Sequence, residues 1–88
     1  MTTDDIRANV LQMLGEVAPE VDPTRIKPDV DFRDQLDLDS MDLLNFVIGV
    51  DEQLRVDIPE SDYGRLSTLD GFVGYLADRL GIPETGAR

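Results

Sequence analysis

Apolar residues fall into three runs with helical spacing. Ile6, Val10, Leu14 and Val17 recur every three or four positions, and Leu11 and Ala18 widen the stripe, so residues 3–18 are predicted to form a helix. Thr2 or Thr3 is placed to cap it, and Asp4 and Asp5 complement the positive end of its dipole. The second run, Met41, Leu43, Leu44, Phe46, Val47, Ile48, Val50 and Leu54, predicts a helix over about 40–54. Asp39 is its N-cap, with the Asp42 carboxylate in the first turn. Its apolar positions cover three faces, more than one buried stripe needs. The helix is therefore expected at the centre of the fold or with part of its surface open to a partner. In the third run, Leu69, Phe72, Val73, Leu76 and Leu80 predict a last helix over about 67–80, with Ser67 and Asp70 as its capping box and Gly81 and Pro83 as its stop.

Between these runs the pattern is broken. Pro19, Pro23 and Pro28 leave residues 19–38 as a long connection, expected to be pinned to the core by Val21, Ile26, Val30, Phe32, Leu36 and Leu38. Pro59-Glu60-Ser61-Asp62 predicts a short helical turn ending near Gly64. The only strand-like alternation, Arg55-Val56-Asp57-Ile58, has no pairing partner. The expected fold is an all-α, small four-helix bundle: three main helices, one short helix and a long first loop. One domain spans residues 1–88, with its core at about 3–81 and residues 82–88 as a flexible tail. Gly49, Gly71 and Gly74 interrupt predicted helices, each at a cost of about 1 kcal/mol relative to Ala. They are expected where helices approach closely or leave room for a guest.

Composition changes this picture in one respect. Eight basic residues against nineteen acidic ones leave the 88-residue chain at a formal charge of −11. Disorder is the first concern at such a charge, but Leu, Ile, Val and Phe supply 27 of 88 residues, about 31% and well above the disordered range. A folded acidic domain follows. Its charge argues against nucleic acid and against an anionic membrane surface, and favours basic protein partners. No apolar run is long enough to span a membrane, and the N-terminus has no apolar signal core, so a cytoplasmic protein is expected.

Candidate chemistry is concentrated in Phe32-Arg33-Asp34-Gln35-Leu36-Asp37-Leu38-Asp39-Ser40-Met41-Asp42, which places a serine among carboxylates at a helix start. Ser40 is not a self-sufficient nucleophile, because the chain contains no histidine to take its proton. No cysteine provides a thiolate either. Asp37 and Asp39 have the spacing of a calcium loop, but that loop then needs Gly at Asp42 and Glu at Ile48; one begun at Asp29 fails similarly. No metal site is expected. Taken alone, Ser40 has the ordinary role of a residue at a capped helix start.

The segment resembles the phosphopantetheine attachment site of the acyl carrier protein family. The resemblance rests on Asp39-Ser40-Met41 with Phe32 and Leu36 upstream and Asp42 following. Ile58-Pro59-Glu60 is similar to that family's step into its short third helix, Thr68 to Leu76 to its last helix and residues 3–18 to its first. Two positions depart from the family pattern. Asp37 stands where glycine is usual just before the Asp-Ser pair, and Asn45 stands where carriers of fatty-acid synthesis tend to have Glu. Met41 after the serine is also similar to aminoacyl carriers of the D-alanyl type.

The resemblance implies a non-catalytic carrier. A separate phosphopantetheinyl transferase would move 4'-phosphopantetheine from coenzyme A onto Ser40, supplying its own base and Mg²⁺. The arm would then carry acyl intermediates as thioesters, for fatty-acid, polyketide or related biosynthesis. Aminoacyl or peptidyl cargo is the alternative. Loading ligases, synthases and transferases with basic docking surfaces would be its partners, meeting Asp42, Asp51, Glu52 and Asp57 with an apolar contribution from Met41 and Ile48. A carrier visiting several enzymes is expected to be a monomer. Phe46, Val50, Ile58, Leu66, Phe72 and Tyr75 are candidates to shelter a chain, with the core as their expected place. An unmodified acidic adaptor would need the same charge and helices but not Ser40.

Overall fold

The computed structural model describes residues 2–82. Helix α1 spans Thr3–Val17, a single-turn helix α2 spans Phe32–Gln35, α3 spans Ser40–Leu54 and α4 spans Leu69–Leu80. Two 3-10 segments, Pro23–Arg25 and Glu60–Leu66, lie in the connections. No strand occurs among the described residues. The fold is the all-helical bundle the spacing predicts, with the short third element wound as a 3-10 helix. Its radius of gyration is 12.1 Å.

Local chemistry sets each boundary. Thr2 caps α1 by accepting from the Asp5 N–H, and the Asp5 carboxylate accepts from the Thr2 N–H. Asp39 and Asp42 form the same reciprocal box at α3. The start of α4 differs from expectation. Thr68, not Ser67, is the N-cap, its hydroxyl accepting from the Gly71 N–H at 3.0 Å. Ser67 instead ties down the long connection, its carbonyl accepting from the Phe32 N–H at 2.8 Å. Gly81 ends α4 in the left-handed region at φ 70°, where a side chain would be strained. The next N–H, that of Ile82, donates to the Ala77 carbonyl at 2.8 Å. Ile82 is thus part of the helix cap and packs against the core rather than opening the tail. Residues 83–88, the rest of the expected tail, lie outside the described residues.

The core follows from the apolar stripes. Ile6, Val10 and Leu14 of α1 meet Phe46, Val47 and Val50 of α3 and Phe72, Val73 and Leu76 of α4. Phe32 stands edge-on to Phe46, with centroids 5.5 Å apart, and Phe46 stands edge-on to Phe72 at 5.3 Å. Each such pair adds about 0.5–1.5 kcal/mol beyond the area it buries. The six residues named as a possible shelter, Phe46, Val50, Ile58, Leu66, Phe72 and Tyr75, are all in this core.

The long connection is held from within and from outside. The Gln35 amide donates to the Lys27 and Val30 carbonyls and accepts from the Lys27 N–H. Backbone bonds from Phe32 to Ser67 and from Asp70 to Pro28 fasten it to the start of α4. Val21, Ile26, Leu36 and Leu38 pack on the core, Phe32 is buried and Val30 is half-buried. After α3, Arg55 takes a left-handed conformation at φ 56° and reverses the chain. Val56 and Ile58 are buried while Arg55 and Asp57 are exposed. The alternation in that stretch is real, but it reflects a connection crossing the core edge rather than a sheet.

Two of the helix glycines have a packing reason. A Cβ at Gly71 would lie 2.9 Å from the Arg65 carbonyl oxygen and 2.9 Å from the Thr68 hydroxyl oxygen. A Cβ at Gly49 would overlap the flexible Met13 side chain. Gly71→Ala is therefore expected to destabilise, because overpacking against backbone costs about 1–3 kcal/mol and helix propensity returns only about 1 kcal/mol. Gly49→Ala is expected to stay within about 1 kcal/mol of the parent, since Met13 can swing aside. Urea unfolding of the two variants checks this, and stabilisation at Gly71 would contradict it.

Candidate functional site

Ser40 is the first residue of α3 and is exposed. Its position is set by the box around it. The Asp42 N–H donates to Asp39 Oδ1 at 2.9 Å, and the Asp39 N–H donates to Asp42 Oδ2 at 3.5 Å. Both carboxylates flanking the serine are thus turned to backbone. The Ser40 hydroxyl itself has no hydrogen-bond partner among the described residues. Losing such a cap costs a helix about 1 kcal/mol, so Asp39 and Asp42 hold the start of α3 in shape instead of activating the hydroxyl.

Ser40 lines the rim of an open groove of about 580 Å³. Leu43, Leu44, Phe46 and Val47 of α3 form one side, and Tyr63, Gly64 and Leu66 of the 3-10 segment form the other. Phe32 and Arg33 of α2 also line it, and Asp31, Glu60 and Ser67 add polar atoms. Arg33 is the one cation among these residues. Only Phe46 and Leu66 of the six expected shelter residues reach the groove; the others are consumed by the core. Leu44 was one of the periodic apolar residues but was not expected at a groove, and Tyr63 and Arg33 are groove residues that the periodicity did not single out. Leu44 had a signal in its spacing from Met41 and Ile48, but Tyr63 and Arg33 are placed by long-range packing.

The outer face of α3 is apolar at its centre. Met41 is 61% exposed, Leu44 37% and Ile48 41%, and their three- and four-residue spacing puts them on one stripe. Asn45 and Glu52 are exposed on the same side, and Asp57 is exposed just beyond the helix. Asp42 and Asp51 are half-buried. Asp51 accepts from the Ile58 N–H at 3.1 Å, fastening the Arg55–Ile58 crossing to α3. Of the four acids expected to face partners, Glu52 and Asp57 stand open, while Asp42 and Asp51 are bonded to backbone. Among the described residues no group of acids is arranged to hold a metal ion. No helix of the described residues is long and apolar enough to cross a membrane.

Known proteins share this arrangement. The phosphopantetheine attachment site family matches residues 8–76. An acyl carrier protein of Rubrobacter xylanophilus is 27% identical over 75 residues, covering 82% of this chain and 93% of its own. An acyl carrier protein of Bdellovibrio bacteriovorus is 34% identical over 67 residues, covering 76% and 80%. The meromycolate extension acyl carrier protein of Mycobacterium tuberculosis is 29% identical over 76 residues, covering 86% of this chain and 65% of its own. A solved structure of the Enterococcus faecalis acyl carrier protein superposes with a TM-score of 0.75 at 18% identity, over 90% of this chain and 99% of that one. The chain belongs to the acyl carrier protein family. It is a non-catalytic carrier of the class that holds phosphopantetheine covalently and works with phosphopantetheinyl transferases and acyl-handling enzymes.

Burial pushes the Asp51 carboxyl above its ordinary value; the neighbouring Asp57 and Glu52 charges add to this and the Ile58 N–H opposes it. A raised carboxyl contributes fully to stability below the ordinary carboxylate pKa, and that contribution is lost as pH rises through the raised value. At neutral pH the folded protein therefore bears a cost at Asp51. Asp51→Asn keeps an acceptor for Ile58 without the charge. Its melting temperature is expected to exceed the parent's at pH 7, with the difference vanishing as pH falls below the ordinary carboxylate range. A lower melting temperature at pH 7 would contradict this.

Proposed function

We propose that Ser40 is the phosphopantetheine attachment point and that the protein carries acyl intermediates for fatty-acid-type or related biosynthesis in the cytoplasm. One observation carries the assignment: an exposed, unbonded hydroxyl at the start of a capped helix and the rim of a groove, inside the span that matches the attachment-site family. The residues fit the group. Free N–H groups of the first turn and the dipole's positive end favour a phosphodiester there, worth about 0.3–1 kcal/mol at an exposed site. Asp39 and Asp42 oppose it, but their charges are screened over roughly 8 Å at physiological salt.

This chain supplies no base for the transfer, because its flanking carboxylates are bonded to backbone and it has no histidine. In the transfer a bond would form between Ser40 Oγ and phosphorus as the pyrophosphate bond of coenzyme A breaks and adenosine 3',5'-bisphosphate leaves; the hydroxyl proton would pass to a base of the transferase. When bound, the arm supplies a terminal thiol that holds an acyl group as a thioester. Everything else is the work of this chain. The capping box fixes where Ser40 points. Leu43, Phe46, Val47 and Leu66 offer an apolar floor beside it for an acyl chain.

Met41, Leu44 and Ile48 form the apolar centre of the docking surface, and Glu52 and Asp57 form an acidic rim. Asp42 and Asp51 add to the field while bonded to backbone. The mycobacterial relatives named for meromycolate extension support a fatty-acyl type of cargo. A monomer with one arm suits successive visits to several enzymes.

Incubation with coenzyme A, Mg²⁺ and a broad-specificity phosphopantetheinyl transferase is expected to add the mass of one phosphopantetheine to the protein and none to Ser40→Ala. No gain with several transferases would favour an unmodified acidic adaptor instead.

A further inference from the structure

The groove beside Ser40 has one wall made of regular helix and one made of a 3-10 segment. Such segments have poorer hydrogen-bond geometry than α-helix, and this one, Glu60–Leu66, follows Pro59 with no side-chain cap. It packs against α4. Tyr63, Gly64 and Leu66 are its contribution to the groove.

Asp62 is what ties this wall down. The Tyr75 hydroxyl donates to Asp62 Oδ2 at 2.6 Å, and the Arg79 guanidinium donates to the same oxygen at 3.1 Å. Tyr75 is buried on α4, so the partner is fixed. Arg65, near the far end of the segment, places its guanidinium carbon 5.2 Å from the Tyr75 ring centroid, with that of Arg79 at 5.1 Å. Two residues of the wall, Asp62 and Arg65, therefore converge on one tyrosine, and Asp62 is the immediate neighbour of Tyr63 in the groove. The Tyr75 hydroxyl, with Arg79, holds the Asp62 carboxyl below the usual carboxylate range, so the bonds are charge-assisted at neutral pH.

We propose that Asp62 is a positioning residue that, through Tyr75 and Arg79, holds the 3-10 wall against α4 and so keeps the groove closed around an acyl chain long enough to enter it. This rests on the carrier function proposed above. The two sides of the groove belong to different elements, α3 and the 3-10 segment. Releasing the segment from α4 frees its side of the groove while leaving Ser40 and its capping box untouched.

The test uses the full chain loaded from acetyl-, octanoyl- and dodecanoyl-coenzyme A by a promiscuous phosphopantetheinyl transferase. Cleavage of each thioester by hydroxylamine is compared for the parent, Asp62→Ala, Tyr75→Phe and Asp62→Asn. Losing one hydrogen bond changes an opening equilibrium roughly 2- to 10-fold, so cleavage of the octanoyl and dodecanoyl forms is expected to rise by about that factor in Tyr75→Phe and by at least as much in Asp62→Ala, which loses two bonds. The acetyl form, which carries no chain for the groove to shelter, is expected to react alike in every variant, and Asp62→Asn, which keeps an acceptor, to fall between. In the unloaded protein, amide exchange is expected to quicken across residues 60–66 and not across α4. Equal cleavage of every chain length in parent and Asp62→Ala, or faster exchange spread evenly over the bundle, would overturn the proposal. Failure of the parent to load would instead sink the carrier function itself, and the exchange measurement would still decide whether Asp62 holds the wall.

Discussion

The structure depends on Phe46. It is met edge-on by Phe32 from the long connection and by Phe72 from the last helix, and all three are buried. One side chain thus joins a loop and two helices that share no local sequence pattern. It also sets the geometry of the candidate site. Phe32 and Phe46 are both core residues and groove residues, so the contact that holds the bundle together also forms the floor beside Ser40. In an 88-residue protein one core serves both purposes. Removing such an aromatic side chain costs about 3–5 kcal/mol, a large part of the stability of a domain this size. That leaves little freedom to tune the groove through its apolar floor, whereas the 3-10 wall can change without touching the column.

The net charge of −11 is divided among distinct roles. Asp5, Asp39 and Asp42 close capping boxes, and Asp22 and Asp31 cap the two short turns of the long connection. Asp51 fastens the crossing after α3 to the helix that precedes it. Asp62 ties the 3-10 segment to α4. Asp70 reaches Arg7 of α1 in an exposed pair that adds little stability. Glu52 and Asp57 are left open beside the apolar stripe, and they set the sign of that surface. Acids on the open face and a hydroxyl at the helix start are the two features on which the proposed docking of basic enzymes rests.

Much of this was legible in the sequence, because helical spacing and capping chemistry are local. The stripe from Ile6 to Val17, the Asp39–Asp42 box and the excess of apolar faces on α3 all have their predicted meaning. α3 is both central and partly open. What was not legible depends on contacts distant in sequence. The turn at Phe32–Gln35 forms where Phe32 is drawn in by Phe46 and by the Ser67 carbonyl. That same bond gives Ser67 a different role and passes the cap of α4 to Thr68. The stretch from Arg55 to Ile58 is no strand, as its lack of a pairing partner implied, but its anchoring was hidden: the Asp51 carboxylate satisfies the Ile58 N–H. At the site, Ser40 and Met41 could be located from motif and spacing. The half-burial of Asp42 and Asp51, and the presence of Tyr63 and Arg33 in the groove, could not.

Ser40 is the exposed first residue of a capped helix, and the function proposed for it takes its reactive group from outside the chain. The most direct test is fragment mass analysis of the protein isolated from its native host. Phosphopantetheine, with an acyl group on its thiol in part of the material, is expected on the fragment containing Ser40. An unmodified Ser40 throughout, or an arm on any other residue, would contradict the carrier function proposed for this chain.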